Sequence, residues 1–184
     1  MEQNFSLSVR EIEERDISLL ANYWYLSDDD FLTKMGVDLK KMPKREDFSD
    51  MVLKQIKTPV EKKVAYALIW EVDMIPVGHS NINKITYGTK AYMHLHLWKS
   101  GLRKKGLGTP LVIKSLPFYF QRIELKNLIC EPRAINPGPN KTLEKVGFEL
   151  ERRYVTIPGS INFEQEVNCW KMSRSRFNDM YGQS

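Results

Sequence analysis

The sequence predicts a single α/β domain spanning 1–184 and built on a mixed β-sheet. Seven segments read as strands and four as amphipathic helices, and the two kinds interleave along the chain. No internal repeat, low-complexity tract or Gly/Ser linker divides it. With 184 residues, 42% hydrophobic and 28% charged, the chain can bury a core without disulfides or a structural metal.

Phe5, Leu7 and Val9 alternate with polar residues, the pattern of a half-buried strand. Asp16 is placed to cap a helix over 16–26 that carries Leu19, Leu20 and Tyr23. Phe48, Val52, Leu53 and Ile56 recur at helical spacing and predict a second helix over 45–56, bounded by Pro43 and Pro59. The run 64–70 reads as a buried strand, Asp73-Met74 as a turn and 76–85 as the returning strand. After a turn at Gly88, the segment 91–98 alternates. Tyr92, His94, His96 and Trp98 share one face, and Met93, Leu95 and Leu97 the other. A loop holding Gly101, Gly106 and Gly108 leads into a helix over 109–123, which Pro117 should kink or shorten. A short strand over 125–130 ends at Glu131-Pro132. A Pro/Gly/Asn-rich connection over 136–140 then precedes a short helix closed by Gly147, and 148–157 and 166–172 are the last strands.

Lys and Arg number 28 against 23 Asp and Glu, a net charge of +5. That balance suits either nucleic acid or a phosphate-bearing small ligand. The lysines concentrate around 99–105 without interleaved aromatics, which points away from nucleic acid. No apolar run reaches the roughly eighteen residues of a membrane span. Residues 1–10 contain Glu2 and lack the apolar core of a signal peptide. Cys130 and Cys169 sit in apolar stretches with neither CxxC spacing nor a histidine companion. Two reduced, buried thiols, no metal and a cytoplasmic location are the expectation.

A strand, a glycine loop and then a helix is a recurring way to hold phosphate. Glycines let the backbone approach closely, and loop N–H groups with the helix N-terminus supply donors and partial positive charge. Lys99, Arg103, Lys104 and Lys105 place cations around this loop, and Pro110 fits the first helical turn. Neither a Walker loop nor a G-x-G-x-x-G dinucleotide fingerprint is present.

Arg103-x-x-Gly106-x-Gly108 resembles the R/Q-x-x-G-x-G/A signature of the GNAT N-acetyltransferase superfamily, and NPGPNKTLEKVGF (136–148) resembles that family's N-x-x-S…E-K-x-G-F segment. The resemblance, clearest over 91–150, identifies no subfamily. It implies a GNAT-like, mixed but mostly antiparallel sheet of six to seven strands flanked by about four helices. It further implies acetyl-CoA as cosubstrate, held by Arg103, Lys104, Lys105, Gly106, Leu107, Gly108 and Thr109, with Asn136 and Asn140 facing the coenzyme. Backbone N–H groups around Leu97 and Trp98 would receive the thioester oxygen. Two positions depart from the pattern: Pro139 stands where Ser or Ala is usual, and Leu143 where many members carry a tyrosine proposed to protonate the departing thiolate.

Acetyl transfer to an amine requires a neutral nucleophile, hence a route for its proton. Histidine titrates in the right range, and His94 and His96 share the strand face that leads to the loop. The His-Leu-His segment is also similar to a strand of aralkylamine N-acetyltransferases, in which His94 aligns with one of two proposed catalytic histidines and Tyr92 replaces the other. Packing within the sheet is the competing reading for both. His79 is expected to be structural, and Glu131, at a strand end, is a further candidate base. Asp28-Asp29-Asp30 could attract a cationic amine or serve as a solvated helix terminus. Tyr23, Trp24 and Tyr25 could line an acceptor pocket or form a buried helix face. The expected function is transfer of an acetyl group to a primary amine, on a small molecule or a peptide N-terminus, by a monomer or homodimer. A non-catalytic acyl-CoA-binding domain is the alternative.

Overall fold

The computed structural model describes residues 5–103 and 105–182. Seven strands form one sheet: β1 (Leu7–Glu11), β2 (Ala65–Val72), β3 (Ile75–Thr86), β4 (Lys90–Leu97), β5 (Asn127–Cys130), β6 (Glu149–Thr156) and β7 (Gln165–Ser173). Their spatial order is β1-β2-β3-β4-β5-β7-β6, and every pair is antiparallel except β4–β5. The mixed, mostly antiparallel sheet expected from the sequence is therefore present. The β2–β3 hairpin turns on Asp73 and Met74, both at positive φ (50° and 64°), the mirror-image turn that matches strand twist.

The helices are α1 (Ile17–Tyr25), α2 (Asp29–Lys34), α3 (Arg45–Lys57), α4 (Gly108–Pro117), α5 (Pro137–Val146) and α6 (Arg174–Tyr181). None among the described residues is long and apolar enough to cross a membrane. The main core lies where α4, α5 and α6 cover the sheet. Leu68 and Trp70 of β2, Ile82 of β3 and Met93 of β4 meet Leu111, Leu116, Leu143 and Phe177 there. Trp70 Nε1 donates to Ser115 Oγ (2.9 Å), and Ser80 and Tyr119 share a 2.6 Å hydrogen bond, so the polar atoms on this face are satisfied. Side chains of alternate parity, among them His79, Asn81 and Asn83, point to the opposite face beneath α1 and α3.

Three expectations change, and one, that Pro117 shortens its helix, is met. Two short helices, α2 and α6, join the four read from the sequence, because each carries too few apolar residues to register. Only Leu32 of α2 and Phe177 of α6 are buried, the latter stacked on Phe120 at 4.6 Å. Asp28 caps α2, accepting the Phe31 N–H at 3.1 Å, and Asp29 and Asp30 occupy its first turn. Residues 136–140 are not a loop. Asn136 caps α5 and Pro137 opens it, since a proline in the first turn gives up no helical hydrogen bond. Pro117 ends α4, and the chain continues as a π-helical turn, Phe118–Arg122.

Asp16 makes no side-chain cap for α1; its buried carboxylate pairs bidentately with Arg10 (2.6 and 2.8 Å) and accepts the Glu13 N–H. Burial works to raise this carboxyl. Those hydrogen bonds and the Arg10 charge outweigh it and leave the group below its ordinary value.

Candidate active site

β4 runs straight into the glycine loop. Gly106 adopts φ +76°, which a side chain with a Cβ would strain. α4 begins at Gly108, and its N-cap, Leu107, is buried and offers no capping side chain. The first-turn N–H groups have no intrahelical partner and lie at the positive end of the helix dipole. A Cβ on Gly108 would stand 3.3 Å from Thr142 Oγ1, so the glycine lets α4 close on α5. Lys99, Lys105 and Gly106 are exposed and Thr109 is half-buried beside them, while Lys104 falls outside the described residues. The Arg103 side chain turns back from the loop. Its Nε and Nη2 donate to the Leu97 carbonyl (3.1 and 2.9 Å), and its guanidinium covers the Phe31 ring at 4.3 Å. Arg103 is thus a strut between loop and strand.

The parallel pairing of β4 with β5 spans only Lys90–Met93 against Asn127–Cys130. β4 continues to Leu97, while β5 stops at Glu131-Pro132, where proline cannot extend a ladder. The two strands part at this point. The Trp98 N–H donates to Val77 O (2.9 Å), on the β3 side. In an antiparallel ladder alternate residues direct their N–H groups to the same neighbour, so those of Leu95 and Leu97 point the other way, into the gap. Of the two backbone donors expected near this strand end, Leu97's is placed in the gap and Trp98's belongs to the sheet. Trp98 contributes differently: its indole N–H donates to His79 Nδ1 at 2.7 Å, which fixes the His79 proton on Nε2.

Beside the gap lies a cleft of about 660 Å³. His79, His94 and His96 form part of its floor. His79 and His96 stack with ring centroids 4.5 Å apart, and Tyr23 sets its hydroxyl 3.1 Å from His96 Nδ1. His79 is therefore part of the site wall as well as a sheet residue. Burial pushes His79 down to about 3 and His94 down to about 4, helped by His94 in the first case and Lys84 in the second. Burial, then the neighbouring histidines and Arg103, holds His96 well below the ordinary value. All three rings are neutral near pH 7. His94 Nε2 is buried and has no hydrogen-bond partner among the described residues.

Glu131 lines the cleft at the end of β5 and accepts the Tyr154 hydroxyl. Asn136 lines it too, with Oδ1 occupied by the Gly138 N–H (3.3 Å). Asn140 is a hub. Its Nδ2 donates to the carbonyls of Arg133 and Asn136, and its Oδ1 accepts from Asn168 and Trp170 (both 2.8 Å), which fills the amide's capacity. It ties the start of α5 to β7. Leu143 is fully buried in the core. Asp28, Asp29 and Asp30 are exposed at the α2 terminus.

Several site residues had no signal in the sequence. Asn83 and Gln165 line the cleft with buried oxygens that no protein donor reaches. Asparagine is disfavoured inside strands, so Asn81 and Asn83 in succession with His79 were an available hint. Trp24 and Tyr25 form cleft wall while Tyr23 is buried, so that aromatic triplet serves both purposes. Residues 158–162, between β6 and β7, complete the enclosure.

A family model described as an acetyltransferase (GNAT) domain matches residues 6–149. No curated protein sequence matches significantly. Solved structures do. A spermidine N-acetyltransferase from Vibrio cholerae in complex with CoA and spermine superposes with a TM-score of 0.74 at 18% identity, covering 93% of this chain and 97% of that one. A ribosomal alpha-N-protein acetyltransferase in complex with coenzyme A gives 0.70 at 15% identity, with coverages of 93% and 96%. An aminoglycoside acetyltransferase in complex with coenzyme A gives 0.69 at 18%, with 95% and 98%. Identities this low speak to a shared fold. The family match takes in the parted β4–β5 pair and the glycine loop that opens α4, and by it the chain belongs to the GNAT acetyltransferase family.

Proposed function

We propose that this chain transfers the acetyl group of acetyl-CoA to a primary amine by direct attack, with both substrates bound at once. The observation that carries this reading is the junction of two features: β4 parts from β5 beside an uncapped, glycine-led helix start, and the same strand places the neutral His94 on the floor of a cleft. The α4 N–H groups with Lys99 and Lys105 suit the pyrophosphate. The gap between β4 and β5 suits an extended arm that reaches toward the cleft. The Leu97 N–H is positioned for the thioester oxygen, where charge gathers as the amine attacks.

In the transfer a C–N bond forms as the C–S bond breaks. The nitrogen gives up a proton and the sulfur gains one. An amine nitrogen bonded to the acyl carbon is far more acidic than a free ammonium. Burial makes the neutral His94 imidazole a weak base, so it can take this proton only transiently, at the stage where the nitrogen is most acidic, and the amine must arrive neutral. His96, engaged with Tyr23 and stacked on His79, orients the floor. Glu131, bound to Tyr154, is a second candidate base. The sulfur's proton donor is not Leu143.

Calorimetry with acetyl-CoA tests the coenzyme site: the wild-type chain binds, and Gly106→Glu abolishes binding through strain and charge repulsion. Thiol release with an amine panel tests catalysis. Binding without thiol release from any amine would favour the non-catalytic acyl-CoA-binding alternative, and failure to bind acetyl-CoA at high concentration would refute both. A His94→Ala variant with an unchanged rate from about pH 6 to 9 removes that histidine from the proton path.

A further inference from the structure

We infer that the acceptor is a compact monoamine with an apolar body, held in the cleft whose floor carries Asn83 and His94, and not a polyamine; this rests on the acetyltransferase reading above. Four observations converge on it.

First, three buried polar atoms have no hydrogen-bond partner among the described residues, Asn83 Oδ1, His94 Nε2 and Gln165 Oε1, and all three residues line this one cleft. Leaving such groups unpaired costs free energy, so a ligand that supplies N–H donors is the natural complement. In the β3–β4 register His94 faces Asn81 and Tyr92 faces Asn83, which makes Asn83 and His94 diagonal neighbours on the same sheet face.

Second, the cleft has little spare negative charge. Its lining carboxylates are Glu11 and Glu131. Glu11 holds the Tyr66 hydroxyl (2.7 Å) and Arg122, and Glu131 holds the Tyr154 hydroxyl. Lys41, Lys63 and Arg133 also line it, so cations outnumber carboxylates three to two. A polyamine would shed the hydration of several ammonium groups and find only Glu131 without a cationic partner, one carboxylate for several charges.

Third, the walls are apolar. α3 has no buried residue, yet its stripe at helical spacing, Phe48, Val52 and Ile56, faces the cleft together with Met51. Trp24 and Tyr25 of α1 stand with them. Phe48 rests on the Tyr25 ring, but no residue of α3 is buried, and an apolar ligand body would cover the rest of this face.

Fourth, the roof is tied down. The Pro158 carbonyl accepts Lys84 Nζ (3.0 Å), the Ile161 carbonyl accepts the Asp38 N–H (2.8 Å), and Asn162 Nδ2 donates to Gly36 O (2.9 Å). Gln165 packs against Gly36, where a Cβ would come within 2.2 Å of its Oε1. An enclosure stitched in this way favours a small molecule over an extended polypeptide.

The test is steady-state thiol release by the full chain with acetyl-CoA, using phenylethylamine, hexylamine, spermidine and a pentapeptide with a free N-terminus. The expected kcat/KM for phenylethylamine exceeds that for spermidine by at least about tenfold. Asn83→Leu should raise KM for the monoamine about tenfold, with kcat lowered less and acetyl-CoA affinity unchanged. Val52→Glu, on the cleft-facing stripe of α3, should move the preference toward spermidine. Spermidine or the peptide as the better substrate overturns the inference while leaving acetyl transfer intact. So does a KM for Asn83→Leu equal to wild type. Absence of thiol release from every amine overturns the acetyltransferase reading itself.

Discussion

Replacing Leu97 with proline removes a single backbone donor, the one that points into the gap between β4 and β5. The β3–β4 ladder should survive, because its neighbouring bond is the Trp98 N–H to Val77 O at 2.9 Å. Proline's φ is tolerated in extended backbone, and the Leu97 carbonyl still receives Arg103. His96 before it is already extended, as a residue preceding proline prefers. Loss of one donor to a developing oxyanion costs about 3–4 kcal/mol, roughly 100- to 1000-fold in kcat. Leu97→Ala is the control. It loses the same packing against the core but keeps the N–H, so its kcat should fall less than about tenfold. Steady-state thiol release at saturating acetyl-CoA gives the comparison, with calorimetric acetyl-CoA affinity and melting temperature measured on both variants. Equal kcat values, within about threefold, would refute the placement of the donor. A melting temperature for Leu97→Pro far below that of Leu97→Ala would refute the claim that this N–H lies outside the β3–β4 ladder.

Acid should destabilise the fold through its three neutral histidines. His79, His94 and His96 stay neutral in the folded chain and titrate near 6.5 when it unfolds, so the unfolded state binds more protons below that pH and stability falls. The slope is about 1 kcal/mol per pH unit for each histidine, and it ends for His94 near pH 4. Denaturant melts from pH 7 to 5 should show it, His79→Gln should flatten it by about a third, and a flat profile would be inconsistent with three neutral rings. Asn140→Ala strands two indole or amide donors and two carbonyls, and about 2–4 kcal/mol of stability should go with it; a melt within about 0.5 kcal/mol of wild type would mean the hub is replaceable. In Gly78→Ala the new Cβ would lie 2.4 Å from the His96 carbonyl oxygen, a backbone atom that cannot step aside. A loss of roughly 1–3 kcal/mol, together with lower kcat, is expected from melts and thiol release.

Alternation in 91–98 was enough to put His94, His96 and Trp98 on one face and Met93, Leu95 and Leu97 on the other. It could not report what covers each face, because a period of two is the same whether the polar side meets water or a roof. His79, Asn81 and Asn83 read only as part of a returning strand, with His79 structural; α1, α3 and residues 158–162, far away in the chain, turn them into a cleft floor. α3 shows the same limit. Its apolar stripe was visible at 48, 52 and 56, and in the sequence it had the look of a core-packing helix. Short elements with few apolar residues, α2 and α6, were beyond periodicity altogether.

By itself the sequence determined the alternation of strands and helices, the glycine loop between a strand and a helix, and through 103–108 and 136–148 the family. These rest on local chemistry: backbone freedom at glycine, missing donors at proline, and the spacing of apolar side chains. The tertiary structure alone decided that β5 stops four residues before β4, so that the Leu97 N–H opens into a gap while Trp98's is spent in the sheet. It alone decided that Arg103 braces the loop, that Asn140 has no hydrogen bond left to give a ligand, and that Asn83, His94 and Gln165 are buried without donors in one cleft. Each of these outcomes depends on which distant segments meet, and no property of a residue's near neighbours encodes that.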